Sequence, residues 1–337
     1  MILLWGVAGD APFDDVREAL SRLEADVTVH DQRLNAACDV QLSCPPNRGR
    51  LRGNLTYDCS TQPAIALDDV RAVYVRPYST QEVCRASSAS PGTPGYERAM
   101  RSDLALLTWA DLTDALVVNR PAAMAANGSK PFQLALIATH GFAVPDTLIT
   151  TDADEVRAFW AHHEHLIYKS VSGLRSIVSQ LSKAHLERLD DVASGPTQFQ
   201  QYVPGVDVRV HVIGSSTFAT EAISDADDYR YASRQGADVE LEPYLLPRDV
   251  ADRCVSMVRG MGLTIGGVDL RHTPDNQWYC FEVNPSPAFS YYERNTGQPI
   301  AQAIAEELHK ADRGHCHASS ECLKSGRLTA TNRGSES

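Results

Sequence analysis

The sequence has little that would mark a membrane, secreted or nucleic-acid-binding protein. No stretch approaches the roughly 20 consecutive apolar residues of a membrane helix, and the opening segment MILLWGVAGD has no basic residue and too short an apolar run for a signal peptide. The eight cysteines are scattered without a CxxC pair, which favours a reduced, cytoplasmic protein over a disulfide scaffold. Basic residues number 31 against 43 acidic ones, so nucleic acid and anionic membranes are unfavourable partners.

Two further absences narrow the catalytic chemistry and the architecture. The sequence contains no GxSxG and no paired Cys/His motif, so nothing indicates a nucleophilic serine or cysteine. It also shows no internal repeat, which argues against a repeat architecture. The overall composition, with 43% hydrophobic and 22% charged residues, is that of an ordinary globular protein. A length of 337 residues predicts two or three domains.

The order of predicted elements changes along the chain. In the first third, strands such as ILLWGV and VRAVYVRPY alternate with helical segments such as DDVREALSRLEA, which predicts a βαβ-type layer. A second unit begins near Pro121. From about Pro196 the pattern is α+β, with strands such as DVRVHVIG and WYCFEVN and the helix PRDVADRCVSMVRGMG. Apolar periodicity is lost after Arg313, which indicates a flexible tail.

The strand WYCFEVN places an acid and an amide two residues apart. Glu282 and Asn284 point to the same face because side chains alternate along a strand. The segment IGGVDLR precedes it across the polar loop HTPDNQ, which predicts a hairpin. Asp269 joins the same face if the register pairs it near Cys280 or Glu282, but a one-residue slip would turn it away, and the sequence leaves this open. Two carboxylates and an amide oxygen suit Mg²⁺ or Mn²⁺ bound with a nucleotide; the alternative is a solvated acidic strand end.

Together, GGVDLR and FEVNPSPAF resemble the magnesium signature of the RimK-like branch of the ATP-grasp superfamily, and the resemblance extends over about Asn119 to Asp312. It implies that Asp269, Glu282 and Asn284 hold the ions that bridge the phosphates of ATP. It also implies an ATP-grasp fold of α/β and α+β content. The expected segments are an N-terminal βαβ-type pre-ATP-grasp domain (1–120), two α+β lobes that enclose ATP (121–195 and 196–313) and the flexible tail (314–337).

The resemblance places two lysines at the phosphates. The segment NGSKPFQLALIATHG supplies Lys130, and HLIYKSVSG supplies Lys169 beside a loop. A lysine on the apolar strand LIYKSV needs an anion as partner or, at a sheet edge, access to solvent. The loop SVSGLRSIV departs from the glycine-rich loops of the superfamily, and we expect Ser172 and Arg175 to bond phosphate oxygens in place of backbone amides. Arg175 also fits a surface position.

The segment TQFQQYVPG resembles the hinge that holds adenine between the lobes. The resemblance implies that Gln201, Tyr202 and Val203 contact the base and the sugar, largely through backbone groups. The usual acid of that hinge is replaced by Gln201 here, which weakens an assignment to its side chain.

Two Asp-x-Arg elements follow the hinge. Asp207 and Arg209 match the first, which assigns Asp207 to the nucleotide site and Arg209 to the transferred phosphate or a substrate carboxylate. A salt bridge between Arg209 and Asp207, with no ligand, is the alternative. The segment DDYRYA resembles the second element and points to Arg230 near the phosphates or the substrate.

The resemblance implies an ATP-dependent ligase. In such enzymes a carboxylate attacks the γ-phosphate of ATP to form an acylphosphate, and an amine or a hydroxyl then displaces phosphate. Within the branch, HVIGSSTFATEAISDADDYRYA is most similar to the microviridin or graspetide maturases, which join Asp or Glu side chains of a ribosomal peptide to Ser, Thr or Lys. The expected partners are therefore ATP and an acidic peptide or a small carboxylate, and a homodimer is left open.

Several alternatives remain open from the sequence. A RimK-like ligase would add an amino acid to a peptide or small acid, and a kinase would phosphorylate its substrate. A nucleotide-binding regulatory protein is a third alternative, although such a protein would not need every metal ligand. In the tail, HCHASSEC has potential zinc ligands, but its spacing does not match the usual pairs, so a disordered end is the preferred interpretation.

Overall fold

The computed structural model describes residues 1–44, 51–58, 62–86, 90–171, 179–224 and 239–325, with the backbone alone for 315–325. The chain divides into two units, one of Met1–Pro121 with Ala301–Ser337 and one of Ala122–Ile300. Within the described ranges, no helix has both the length and the apolar character needed to cross a membrane.

The first unit contains a parallel sheet and a smaller antiparallel sheet. Its elements up to Pro121 are β1 (Ile2–Gly6), α1 (Ala11–Arg22), β2 (Val27–Asp31), β3 (Cys38–Ser43), β4 (Arg52–Tyr57), β5 (Ile65–Ala66), β6 (Ala72–Arg76), α2 (Thr80–Ala86), α3 (Pro94–Leu112) and β7 (Leu116–Val118). The parallel sheet has the order β2–β1–β6–β7, and β3, β4 and β5 form the antiparallel one. All five residues of β1 are buried, as expected for an inner strand of a parallel sheet. The predicted βαβ layer is confirmed, whereas the β3–β5 sheet was not predicted.

The second unit contains two antiparallel sheets. Its elements, with the last helix of the chain, are α4 (Pro121–Met124), α5 (Lys130–Ala138), β8 (Thr147–Thr150), α6 (Ala153–His163), β9 (Leu166–Ser170), β10 (Ser179–Gln180), α7 (Lys183–Leu186), β11 (Thr197–Gln201), β12 (Val206–Ile213), β13 (Ser216–Ile223), β14 (Glu240–Pro243), α8 (Arg248–Gly260), β15 (Ile265–His272), β16 (Trp278–Asn284), α9 (Ser290–Thr296) and α10 (Ile300–Ser325). Short 3-10 helices lie at Gln32–Ala37, Leu67–Asp69, Ala125–Gly128 and Leu189–Ser194.

The first sheet of this unit has the strand order β10–β9–β11–β8. One face is apolar, where Phe199 and Leu166 pack in a cluster with Val156 of α6. Because side chains alternate along a strand, the neighbours of Phe199 point to the other face. The sequence placed the lobe boundary at 195/196, but β11 lies between β9 and β8, so the two sheets of this unit divide after Gln201.

The second sheet has the order β14–β13–β12–β15–β16, and the predicted hairpin is its β15–β16 pair. Its apolar face buries Val208, Val210 and Val212 of β12 in one cluster with Cys254 and Met257 of α8. The alternate positions of the same strands therefore face away from α8 and form a second, more polar face. The candidate site lies on this face.

The last helix extends further than the sequence indicated. We predicted a flexible tail from 314, whereas α10 continues to Ser325. The segment 315–325 contains neither proline nor glycine, so nothing in its composition forces a helix to stop at Gly314. The potential zinc ligands of HCHASSEC fall where only the backbone is described.

Candidate functional site

The two carboxylates and the amide predicted from the hairpin lie on one face of the second sheet. In the pairing of β15 with β16, Asp269 lies directly opposite Glu282. Asn284 is two residues beyond Glu282 on β16, and the register of the pair shifts after Asp269. Directly opposite residues of an antiparallel pair point to the same face. All three side chains are half-buried. The register that the sequence left open is therefore the one that brings Asp269 beside the other two.

These three side chains fit a hard divalent cation. The backbone N–H of Ser286 donates to Oδ1 of Asn284 at 3.0 Å, which orients the amide. An amide oxygen has two lone pairs, so this contact leaves one for a metal. Two carboxylates with one amide oxygen are the donor set that Mg²⁺ or Mn²⁺ prefers, with the remaining positions left to water and phosphate oxygens.

Arg209 of the neighbouring strand β12 forms a buried ion pair with Asp269. The two residues are opposite in register, Nη1 of Arg209 donates to Oδ1 of Asp269, and their side chains are 5% and 14% exposed. The guanidinium carbon lies 5.8 Å from the ring centre of Tyr292. Gly267 gives it room, since a Cβ there would lie 2.1 Å from Nη2 of Arg209. A buried cation thus stands directly beside the carboxylates.

Asp207 has a different partner from the one considered in the sequence. It pairs with Arg271, whose Nε and Nη2 donate to the two carboxylate oxygens at 2.8 Å each. Nη1 of Arg271 donates to the carbonyl of Val203 at 2.8 Å. The alternative of an Arg209–Asp207 salt bridge is therefore wrong, because the order of strands gives each residue its own partner on β15. The observed role of Asp207 is to support the predicted hinge through Arg271, and its contact with a nucleotide stays a prediction.

Lys130 begins the helix α5, and Gln133 anchors that helix to β16. The Gln133 side chain is 3% exposed. Its Nε2 donates to the carbonyl of Val283 at 2.7 Å, and its Oε1 accepts from the Val283 N–H at 3.0 Å. Val283 stands between Glu282 and Asn284. Because residues three apart share a helix face, Lys130 lies on the side of α5 that meets the carboxylate strand.

Lys169 lies on β9 of the first sheet and is buried, with 8% of its surface exposed. Gln198 of β11 is directly opposite, and Nζ of Lys169 donates to Oε1 of Gln200 at 3.4 Å. Nε2 of Gln200 donates to Oγ1 of Thr147 at 2.9 Å. The burial excludes the alternative of an edge lysine that reaches solvent, and it leaves the charge on the polar face of this sheet.

The predicted hinge follows β11 and is held by backbone hydrogen bonds. The N–H of Gln201 donates to the carbonyl of Asp146 at 2.9 Å, and the N–H of Tyr202 donates to the carbonyl of His165 at 3.1 Å. The side chain of Gln201 lies on the face opposite to Lys169, because side chains alternate and Gln200 occupies the lysine face. A base bound at this segment therefore has to use backbone groups other than these two N–H groups.

The sequence did not predict Gln198 and Gln200 as site residues, although both are buried. The segment TQFQQ has one apolar residue, Phe199, among polar ones, which is typical of a strand with a solvated face. What distinguishes these two residues from surface glutamines is the buried lysine on the neighbouring strand. That neighbour is known only when the pairing of the strands is known.

Burial also determines the protonation of groups near the carboxylates. It lowers the pKa of His211 well below its usual value, and the Arg209 guanidinium lowers it further, so this histidine is neutral. Burial raises the pKa of the Cys280 thiol well above its usual value and that of Cys254 to about 12. Burial thus disfavours the thiolate form of both cysteines.

Three predicted residues, Ser172, Arg175 and Arg230, lie outside the described residues. Within the described part, one group of His, Cys, Asp or Glu side chains has its potential ligand atoms within 4.8 Å of one another, and it consists of Asp146, His162 and His163. Its closest approach, 3.4 Å between His163 Nε2 and Asp146 Oδ2, is that of an ion pair at a carboxylate with 66% exposure. We assign no ion to it.

The fold and the site define a class. The second unit has two antiparallel sheets, one with a buried lysine on its polar face and one with a carboxylate–amide group beside a buried arginine. These groups suit phosphate oxygens and a divalent cation. The family model of the RimK-like ATP-grasp domain matches residues 128–308, more than half of the chain. The chain therefore belongs to the RimK-like ATP-grasp family and is an ATP-grasp ligase, as the sequence resemblance predicted.

Among curated proteins, the chain is similar to several that are named as glutamate ligases. The probable alpha-L-glutamate ligase of Shewanella loihica is 24% identical over 205 residues, which cover 57% of this chain and 67% of that protein. This similarity supports a ligase and leaves more than a third of the chain unmatched.

Among solved structures, the chain is similar to ligases that were solved with a bound precursor. The ATP-grasp ligase PsnB complexed with a minimal precursor has a TM-score of 0.73 and 26% identity, covering 92% of this chain and 99% of that one. The macrocyclase MdnC of Microcystis aeruginosa, bound with the precursor peptide MdnA, has a TM-score of 0.73 and 22% identity, covering 91% of this chain and 99% of its own. At 22% identity, the similarity to MdnC shows a shared fold and nothing more.

ATP-grasp enzymes use ATP and Mg²⁺, and PsnB has also been solved with Mg and ADP. The residues of this chain fit both groups. The oxygen donors of Asp269, Glu282 and Asn284 suit the cation, and the buried ammonium of Lys169 suits the phosphates.

Proposed function

We propose that this ATP-grasp ligase forms ester or amide crosslinks within an acidic, ribosomally made peptide. The observation that carries the proposal is the similarity to PsnB, a ligase solved with its precursor, over 92% of this chain. The glutamate ligase of Shewanella loihica aligns with only 57% of it. The match to PsnB therefore includes the N-terminal unit as well as the RimK-like domain.

The proposed reaction uses an acylphosphate. A side-chain carboxylate oxygen of the peptide attacks the γ-phosphorus of ATP, and ADP leaves. A hydroxyl or amine of the same peptide then attacks the acyl carbon, loses its proton, and phosphate leaves. Phosphorylation is needed because a free carboxylate would otherwise have to expel oxide.

Most of the chain's contribution is charge neutralisation and positioning. We assign Lys130 and Lys169 to the phosphates of ATP and Arg209 to the phosphate that is transferred. Asp269, Glu282 and Asn284 would hold Mg²⁺, with Mn²⁺ as a substitute. When bound, the cation supplies positive charge to the phosphate oxygens.

The remaining sequence predictions are part of the same proposal. Gln201, Tyr202 and Val203 would contact the base and sugar through backbone groups. We assign Ser172 and Arg175 to the phosphate oxygens, and Arg230 to the phosphates or the substrate.

The reaction is tested with the purified enzyme, Mg-ATP and a short acidic peptide encoded beside its gene. Each crosslink is expected to lower the peptide mass by one water and to convert one ATP to ADP and phosphate. Mass spectrometry of the peptide and chromatography of the nucleotides measure both quantities in one sample. A peptide without ionisable side chains, incubated in parallel, should keep its mass.

Other outcomes identify other activities. A gain of one amino-acid residue would favour the second candidate, a RimK-like ligase, which the named glutamate ligases support. A gain of one phosphoryl group would indicate a kinase. Formation of AMP would contradict the acylphosphate mechanism itself.

Replacement of Lys169 by methionine is expected to weaken ATP binding by about 1.5–3 kcal/mol, the range for a hydrogen bond to a charged group. Methionine keeps the length of the side chain and removes its charge, so the buried strand should still form. Calorimetric titration with a non-hydrolysable ATP analogue measures the change. Lys183→Met is the matched control, because that lysine is exposed on α7. Equal affinity of the two variants would remove Lys169 from the phosphate site.

A further inference from the structure

Gln198 is a buried amide without partners. It lies on β11, its side chain is 1% exposed, and neither Nε2 nor Oε1 has a hydrogen-bond partner among the residues that the structure describes. Burying an amide without hydrogen bonds costs free energy, and native proteins rarely leave both atoms of one side chain unsatisfied. The arrangement therefore calls for a polar group that the described part of the chain does not provide.

The neighbours of Gln198 show which kind of group that is. Gln198 is directly opposite Lys169 on β9 and Ile149 on β8, so these three side chains share a face. The next position on this face is Gln200, which already accepts from Lys169 and donates to Thr147. Of two buried glutamines beside one buried lysine, one is satisfied by the protein and the other is not.

There is space for a ligand on this face. An open cleft of about 480 Å³ is bordered by α5 and β8, and its lining includes Thr147 and Ile149. Both residues lie on the face that carries Gln198. The volume falls within the range of small-molecule sites, about 300–1,000 Å³.

The position along β11 distinguishes the two ends of a nucleotide. Gln198 precedes Gln201, where the proposed hinge begins, by three residues, which is about 10 Å of extended strand. A base at the hinge is therefore remote from Gln198, whereas the lysine assigned to the phosphates is opposite to it. The polar group that faces Gln198 is then a phosphate oxygen, an acceptor for its N–H.

We propose that Gln198 is a phosphate-binding residue whose Nε2 donates to an oxygen of the nucleotide's phosphate chain beside Lys169. Its Oε1 then accepts from a water of the phosphate's hydration shell. The inference rests on the proposed nucleotide site and adds a residue to it. A glutamine there gives directional hydrogen bonding without a second buried positive charge.

The test compares Gln198→Leu with the wild-type chain in two measurements. Without ligand, leucine removes an unsatisfied amide, so the thermal unfolding midpoint should stay the same or rise. With Mg-ADP, the dissociation constant should increase about ten- to hundredfold, whereas that of adenosine, which has no phosphate, should not change. Gln198→Glu should weaken Mg-ADP binding further, because its carboxylate repels phosphate.

Gln200→Leu is the matched control. It deprives Lys169 and Thr147 of a partner, so it should lower the unfolding midpoint without ligand, in contrast to Gln198→Leu. If Gln198→Leu instead lowers the midpoint and leaves Mg-ADP affinity unchanged, the residue is structural and the inference fails. Equal losses for adenosine and Mg-ADP would also overturn it, since the contact would then not be to phosphate. A wild-type chain that binds no Mg-ADP would refute the nucleotide site itself, which is a separate result.

Discussion

Replacing Glu282 by glutamine is expected to lower ATP-dependent turnover by about 10²–10³-fold and to leave the fold intact. Glutamine has the same shape and keeps one oxygen, but the negative charge opposite Asp269 is lost. The cation would then be held by one carboxylate and two neutral amide oxygens, so it would bind more weakly and less positive charge would be fixed at the phosphates. The rate of ADP formation at saturating peptide, measured over a range of Mg²⁺ concentrations, reports the loss.

The matched control is Glu221→Gln. Glu221 lies on β13 of the same sheet, is half-buried as Glu282 is, and is opposite Val208 of the apolar face. Its replacement removes the same charge from the other face of the sheet and should leave turnover within about twofold of wild type. Near-normal turnover in a folded Glu282→Gln enzyme, or an equal loss in both variants, would contradict the assignment of Glu282 as a metal ligand.

The fold followed from the sequence where periodicity and element order were clear. Alternating strands and helices predicted the parallel sheet of the first unit, and the polar loop HTPDNQ predicted the β15–β16 hairpin. The face shared by Glu282 and Asn284 needed only the two-residue repeat of a strand. The position of Asp269 did not follow, because it depends on which residue of β16 lies opposite, and hydrophobic alternation alone does not determine that register.

The side-chain partners on neighbouring strands could not be predicted from the sequence either. Asp207 and Arg209 stand two residues apart, which made a local pair plausible, yet each pairs with a residue of β15. That outcome depends on β15 lying beside β12, and strand order is a property of the whole sheet. Gln198 was missed for the same reason, because its neighbour Lys169 is 29 residues earlier in the chain.

The candidate site residues on the two sheets of the second unit make different kinds of contact. On the second sheet, Asp269 is paired with a buried cation, Arg209, so the site has an ion pair even without a ligand. On the first sheet, Lys169 donates a hydrogen bond to the neutral amide of Gln200 and lies opposite Gln198. Substitutions on the second sheet should thus affect stability and activity together when they break the ion pair, and activity alone when they do not.

Asp269→Asn is expected to lower the free energy of unfolding by about 3–5 kcal/mol as well as to abolish turnover. Asp269 and Arg209 are 14% and 5% exposed, so the variant leaves a buried guanidinium without the carboxylate that compensates its charge. Glu282→Gln does not break this pair and should be far less destabilised. Chemical denaturation followed by circular dichroism measures the difference between the two variants.

The double variant Arg209→Met with Asp269→Leu separates the two effects. Removing both charges takes away the cost of burying them, so most of the lost stability should return, since apolar replacement of a buried pair is often neutral or stabilising. Turnover should stay absent, because neither the predicted metal ligand nor the cation proposed for the transferred phosphate is restored. If Asp269→Asn were as stable as wild type, the ion pair would contribute nothing to folding. If the double variant recovered turnover, neither residue would belong to the catalytic site.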